Sequence, residues 1–125
     1  MSKEKYIIEH SFKTSIKLLY TRISTPDGLS EWFCDDVMPK GDQFCFMWDG
    51  DEQVAKLLHK KENSYVRFRW LDDDDERLYF EFKIAVDELT QDVTLVITDF
   101  CEPDEKMDNI DLWGTQIENL HRILG

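Results

Sequence analysis

Between Gln43 and Phe100 the chain runs through five short apolar-rich segments, most with apolar residues at every second position, each parted from the next by turn residues. A period of two is the mark of strands, and connections this short join neighbours antiparallel, so the region reads as a meander. "QFCFMW" (43–48) sets Phe44, Phe46 and Trp48 on one face, and "EQVAKLLHK" (52–60) follows across Asp49-Gly50-Asp51 as the second arm of a hairpin. "SYVRFRW" (64–70) and "RLYFEFKIAV" (77–86) flank the polar run Asp72 to Glu76, and "DVTLVITDF" (92–100) closes the series. With "KYIIEHSFK" (5–13), whose Tyr6, Ile8, His10 and Phe12 share a face, the reading has six strands. One register is specific enough to test. Pairing "SYVRFRW" with "RLYFEFK" around the acidic turn sets Val66 opposite Phe82, Phe68 opposite Phe80 and Trp70 opposite Leu78. The other face then takes Arg67 opposite Glu81 and Arg69 opposite Tyr79, and a slip of one residue would send a whole strand to the wrong face.

Helical spacing occupies the two places the strands leave. Ser15 offers an N-cap hydroxyl to a segment in which Ile16, Leu19, Tyr20 and Ile23 share a face, ending near Ser24. Thr25 caps a second short helix with Pro26 at its first position and Asp27 at the positive end of its dipole, and Leu29, Trp32 and Phe33 lie on one side. "DDVMPKGD" then reads as a connection, after which the strand signal begins. The closing segment "DNIDLWGTQIENLHRILG" is a longer helix, capped by Asp108, with Ile110, Trp113, Ile117, Leu120 and Leu124 as its apolar stripe and Glu118–Arg122 as an i,i+4 pair. Gly114 inside it costs about 1 kcal/mol against Ala, which points to a close approach by another backbone there. The fold class is α+β, in one domain spanning residues 1–125, a size the length supports.

Charge and cysteine content narrow the class. Residues 1–70 carry 11 acidic and 11 basic side chains, whereas 71–125 carry 16 and 4, so the second part holds the whole net charge of −12. A phosphate backbone needs a basic surface, and no nucleic-acid partner is expected. No apolar run is long enough to cross a bilayer, so no stable membrane insertion is expected. "MSKEKYIIEH" has no apolar signal-peptide core, which makes the expected localisation cytoplasmic. Three cysteines, Cys34, Cys45 and Cys101, form no CxxC spacing and read as reduced thiols, neither a disulfide framework nor a zinc site.

The order strand, two short helices, antiparallel meander and long last helix resembles the helix-grip fold of the START-like (SRPBCC) superfamily, and within it the branch of Aha-type activators of the Hsp-ninety ATPase. "TPDGLSEWF" is similar to the family's signature of threonine or aspartate, proline, spacer, leucine and tryptophan. "AKLLHKKENSYVRFRW" is similar to its hairpin ending in an aromatic, and "LWGTQIENLHRIL" to its closing helix. Where the family often has paired glycines before the second strand, this chain has Gly41-Asp42. The resemblance implies a curved sheet gripping the last helix, a cavity between them, and Trp32 and Phe33 plugging or rimming its mouth.

On that frame the candidate ligand-binding residues are Trp32, Phe44, Phe46, Trp48, Phe68, Trp70, Phe80, Phe82, Trp113 and Ile117; the competing reading is that these side chains fill the space themselves. The expected partner is a small hydrophobic molecule or lipid, oriented by His10, Tyr20 or Arg69 where these face inward. The alternatives are a protein-interaction module of chaperone-activator type using the acidic surface, and a cyclase- or dehydratase-like enzyme. His10, His59 and His121 are scattered, with nothing to pair them to a cysteine, so no catalytic residue is assigned; His10, on the apolar face of its strand, is the best placed. No cofactor and no metal are expected. Asp72-Asp73-Asp74-Asp75-Glu76 lacks the glycine and distant glutamate of a calcium loop and reads as a solvated turn.

Overall fold

The computed structural model describes residues 3–124. Seven antiparallel strands form one sheet in the order β1-β7-β6-β5-β4-β3-β2. They are β1 (Glu4–Phe12), β2 (Asp36–Lys40), β3 (Gln43–Trp48), β4 (Asp51–Lys61), β5 (Tyr65–Trp70), β6 (Phe80–Val86) and β7 (Val93–Cys101). Helices α1 (Ile16–Ser24) and α2 (Pro26–Leu29) follow β1, and α3 (Lys106–Leu124) ends the chain after a 3-10 turn at Pro103–Glu105. The seventh strand is β2, which the sequence reading gives to a connection. It has five residues, only Val37 of them buried, and Pro39 interrupts its pattern. Proline is tolerated there because β2 is an edge strand and an unpaired side needs no amide donor.

The inward faces follow the period of two. Phe46, Phe68, Phe80, Phe82, Leu95 and Ile97 are fully buried, or nearly so, on the concave side, together with Leu19 and Ile23 of α1, Leu29 of α2, and Ile117 and Leu120 of α3. Val66 pairs with Phe82, Arg67 with Glu81 and Phe68 with Phe80, the register expected. The ladder stops at Phe80, however, so Arg69–Tyr79 and Trp70–Leu78 do not pair. Arg69 instead donates to the carbonyls of Leu78 (3.2 Å) and Glu76 (2.6 Å), so its guanidinium satisfies backbone acceptors that a continued ladder would have used. On the outer face Arg67 holds Glu81 at 2.7–2.8 Å and lies 4.1 Å over the Tyr79 ring.

Turn chemistry sets the hairpins. Asp49 (φ 47°) and Gly50 (φ 90°) are both in the left-handed region between the paired Trp48 and Asp51, as a two-residue type I′ connection demands. A register shift between Leu57 and His59 marks a bulge in β4, a device that bends a strand and sharpens its twist.

Both short-helix caps form. Ser15 Oγ accepts from Leu18 N (3.1 Å), and Thr25 Oγ1 accepts from Gly28 N (3.0 Å) while donating to Thr21 O (2.7 Å). Gly28 is where backbones crowd, since a Cβ there would lie 2.2 Å from Thr21 O; a Cβ on Gly114 would meet nothing within 4 Å, which corrects the expectation for that residue. Two further details of α3 differ. The helix starts at Lys106 behind the Pro103 turn, which leaves Asp108 inside its first turn, and Arg122 donates to Asn119 (2.8 Å) instead of pairing with Glu118. No described helix is long and apolar enough to cross a membrane.

Candidate functional site

Phe33 is the hub around which the concave face closes. Its ring stacks on Trp113 (centroids 5.7 Å apart, planes 17°) and on Phe80 (5.9 Å), and meets Phe46, Trp48 and Phe82 edge-on at 5.1, 5.2 and 5.6 Å. Its carbonyl accepts from Trp48 Nε1 (2.7 Å) and from Gln116 Nε2 (2.8 Å), so one backbone oxygen ties β3 and α3 to the segment after α2. Trp32 turns the other way and donates from Nε1 to Arg22 O at 2.8 Å, while its ring meets Phe82 at 5.3 Å. The pair therefore plugs the sheet, with each polar handle satisfied.

This arrangement divides the ten candidate residues. Trp32, Phe44, Phe46, Phe68, Phe80, Phe82 and Ile117 are buried in the aromatic and aliphatic core. Trp48, Trp70 and Trp113 line a cleft of about 510 Å³ beside α3, completed by Phe33, Gln53, Asp99, Asn109, Leu112 and Gln116. Trp32 borders an adjoining recess, which shares Phe33, Trp48, Leu112 and Gln116 with the cleft and adds Cys34 and Asn119.

Asp99 is the feature that the sequence reading passes over. On β7, Val93, Leu95 and Ile97 point inward, and Asp99 is next in the same alternation, directly opposite Tyr6 of β1. Tyr6 Oη donates to Asp99 Oδ2 at 3.0 Å. Trp113 Nε1 lies 3.0 Å from Tyr6 Oη and 3.3 Å from Asp99 Oδ2, and the Phe100 amide donates to Oδ1 at 2.8 Å. Burial raises the Asp99 carboxyl above its ordinary value, and these hydrogen bonds only partly offset it. Tyr6 is raised as well, by burial first and then by the adjacent carboxylate. A carboxyl perturbed by its surroundings at the edge of a cleft makes this a candidate site. The signal was present in the sequence as an acidic residue on the inward parity of an otherwise apolar strand.

The remaining candidates stay apart. Arg69 serves the β5–β6 loop. His10 is lowered by burial and by His121, whose ring stacks on Phe12 at 4.1 Å. Burial pushes the Cys34 thiol up to about 12, and Cys45 donates to Glu52 at 2.7 Å, which raises its own pKa. No hydrogen bond joins a histidine to a cysteine, and the cysteines are free, among the described residues. In the acidic loop Arg77 binds Asp75 at 2.9–3.0 Å and holds its carboxyl at about 2, Lys3 reaches Asp73 at 3.5 Å, and no cluster able to hold a metal ion occurs among the described residues.

Comparison with known proteins agrees with this architecture. BfR322 from Bacteroides fragilis is 42% identical over 98% of this chain and 92% of its own, with a TM-score of 0.68. The Aha1 dimer from Colwellia psychrerythraea is 18% identical over 97% and 96%, with a TM-score of 0.79. DynU16, from the dynemicin biosynthetic locus, is 18% identical over 94% of this chain and 46% of that one, at 0.78; at such identity the last two report the fold alone. No curated protein matches the chain. The model of the START-like superfamily domain matches residues 1–125, the whole sequence, and the chain belongs to that superfamily.

Proposed function

We propose that this protein binds a small, largely apolar molecule in the cleft between the open edge of its aromatic core and α3. The observation that carries the reading is the cleft itself. At about 510 Å³ it falls within the size of small-molecule sites, with Trp48, Trp70, Trp113 and Leu112 as apolar walls and a few polar groups converging on it. Burial against such walls contributes roughly 25 cal/mol per Å² of apolar surface, while Gln53, Asn109, Gln116 and Asp99 orient the ligand. The ligand enters between the sheet and α3 at this cleft, beside the packed aromatic core.

Leu112 is 60% exposed at the rim, so Leu112→Arg should obstruct the cleft without disturbing the core. Aromatic and long-chain compounds should raise the melting temperature of the parent protein and of Leu18→Arg, an exposed position on α1, but not of Leu112→Arg. Equal shifts in all three proteins, or none in any, would rule the cleft out.

A second reading, docking of a basic partner, is favoured by a separate recess of about 550 Å³ where Asp72–Asp75 and Glu102 outnumber the two cations, Lys3 and Arg77, that pair with Asp73 and Asp75. Its mark is recovery of the partner that falls steeply with salt, because exposed charges are screened over about 8 Å at physiological ionic strength.

A further inference from the structure

Among the described residues lining the Trp48–Trp70–Trp113 cleft, Asp99 is the one ionisable side chain; the other polar groups are the carboxamides of Gln53, Asn109 and Gln116, and no lysine, arginine or histidine takes part. We infer that the ligand of this cleft is an organic cation, an amine or quaternary ammonium head carried on an apolar body, with the head beside Asp99 and the body along the indoles. This rests on the binding function proposed above and specifies its chemistry.

Three features lead there. Indole faces carry negative potential and attract alkylammonium groups, most strongly where water is excluded. The Asp99 carboxylate is held in place by Tyr6 Oη and the Phe100 amide, with Trp113 Nε1 completing the cluster. A carboxylate has about four acceptor sites, so capacity is left for a ligand. The surroundings then select the sign of the head. The adjoining recess shares Asp99, Trp70 and Asn109 with the cleft and adds Asp73 and Glu105; its one cation, Lys3, is paired with Asp73 at 3.5 Å. A net charge of −12 raises the local concentration of cations further. A fatty-acid head would set a second carboxylate beside Asp99 with only Lys3, already paired with Asp73, to compensate it, so an anionic lipid is the ligand this cleft disfavours.

Three probes sharing one phenylbutyl body separate the cases: phenylbutyl-trimethylammonium, phenylbutanol and 5-phenylpentanoate, titrated at physiological salt by tryptophan fluorescence and by the indole N–H resonances. The ammonium should bind about tenfold or more tighter than the alcohol, the pentanoate more weakly than either, and the Trp113 indole resonance should move as the ammonium binds. In Asp99→Asn the ratio of ammonium to alcohol affinity should fall severalfold, to the smaller preference that the indole faces supply by themselves. An alcohol that binds as tightly as the ammonium overturns the cation and leaves the apolar-ligand reading standing. A preference undiminished in Asp99→Asn shows that this carboxylate does not hold the head and overturns it too. Should that variant not fold, an ammonium that leaves the Trp113 resonance unmoved in the parent protein has the same force. If none of the three probes binds, both this inference and the function beneath it fail.

Discussion

Asp99 shows how one side chain couples stability to pH. Its carboxyl is raised above the ordinary value of 3.8, chiefly by burial. Between that value and the raised one the folded protein binds more protons than the unfolded chain, so this residue makes stability fall as pH climbs through the window above about 4. Asparagine has no charge to bury. The stability of Asp99→Asn minus that of the parent, measured by urea unfolding at a series of pH values, should therefore rise with pH from about 4 and then level off. A difference that is flat or runs the other way would show that the carboxyl is not penalised in the fold. The group shares its surroundings with the Tyr6 hydroxyl and the Trp113 indole, so the same substitution should also displace the Trp113 indole N–H resonance.

At the scale of elements, two helical glycines with similar sequence settings have opposite physical roles. Gly28 lies where α2 turns back on α1, and an added Cβ would sit 2.2 Å from Thr21 O and 2.7 Å from the Arg22 Cα, both backbone atoms that cannot swing aside. Gly28→Ala should cost about 1–3 kcal/mol, the range for overpacked sites. Gly114 sits in α3 with open space around its Cβ position, so Gly114→Ala should stabilise by roughly 0.5–1 kcal/mol through helix propensity. Chemical denaturation of the two variants checks both signs at once. A stabilised Gly28→Ala would mean that the α1–α2 corner relaxes more freely than its geometry implies. Period and capping residues made the caps at Ser15 and Thr25 legible in advance; tightness at a glycine depends on which backbone passes it, and spacing along the chain does not record that.

For the whole molecule the decisive fact is that aromatic side chains occupy much of the concave side of the sheet and leave the cleft beside α3. Phe33 sits at the centre of that packing, between Trp113 and Phe80 and against Phe46, Trp48 and Phe82. Phe33→Ala should cost about 3–5 kcal/mol as a large-to-small core change and deepen the cleft toward Phe46, read as a lower urea midpoint together with altered tryptophan emission. A loss under about 1 kcal/mol would show that the neighbouring rings collapse into the gap. The chain itself determined which residues alternate as strands, which side of each faces inward, the Val66–Phe82 to Phe68–Phe80 register, and the two short capped helices, because these follow from period, turn residues and caps over a few neighbours. Edge strand β2 escaped the same reasoning, since five residues with one buried side chain and a proline carry too little pattern to be told from a loop. The tertiary structure alone decided which aromatics fill the interior and which border the cleft. It also set Asp99 against Tyr6 and Trp113, residues 93 and 14 positions away in the chain. Side chains that share an apolar period are interchangeable until the sheet curves; its curvature and the placement of α3 determine how much space remains, and those are properties of all the elements packed together.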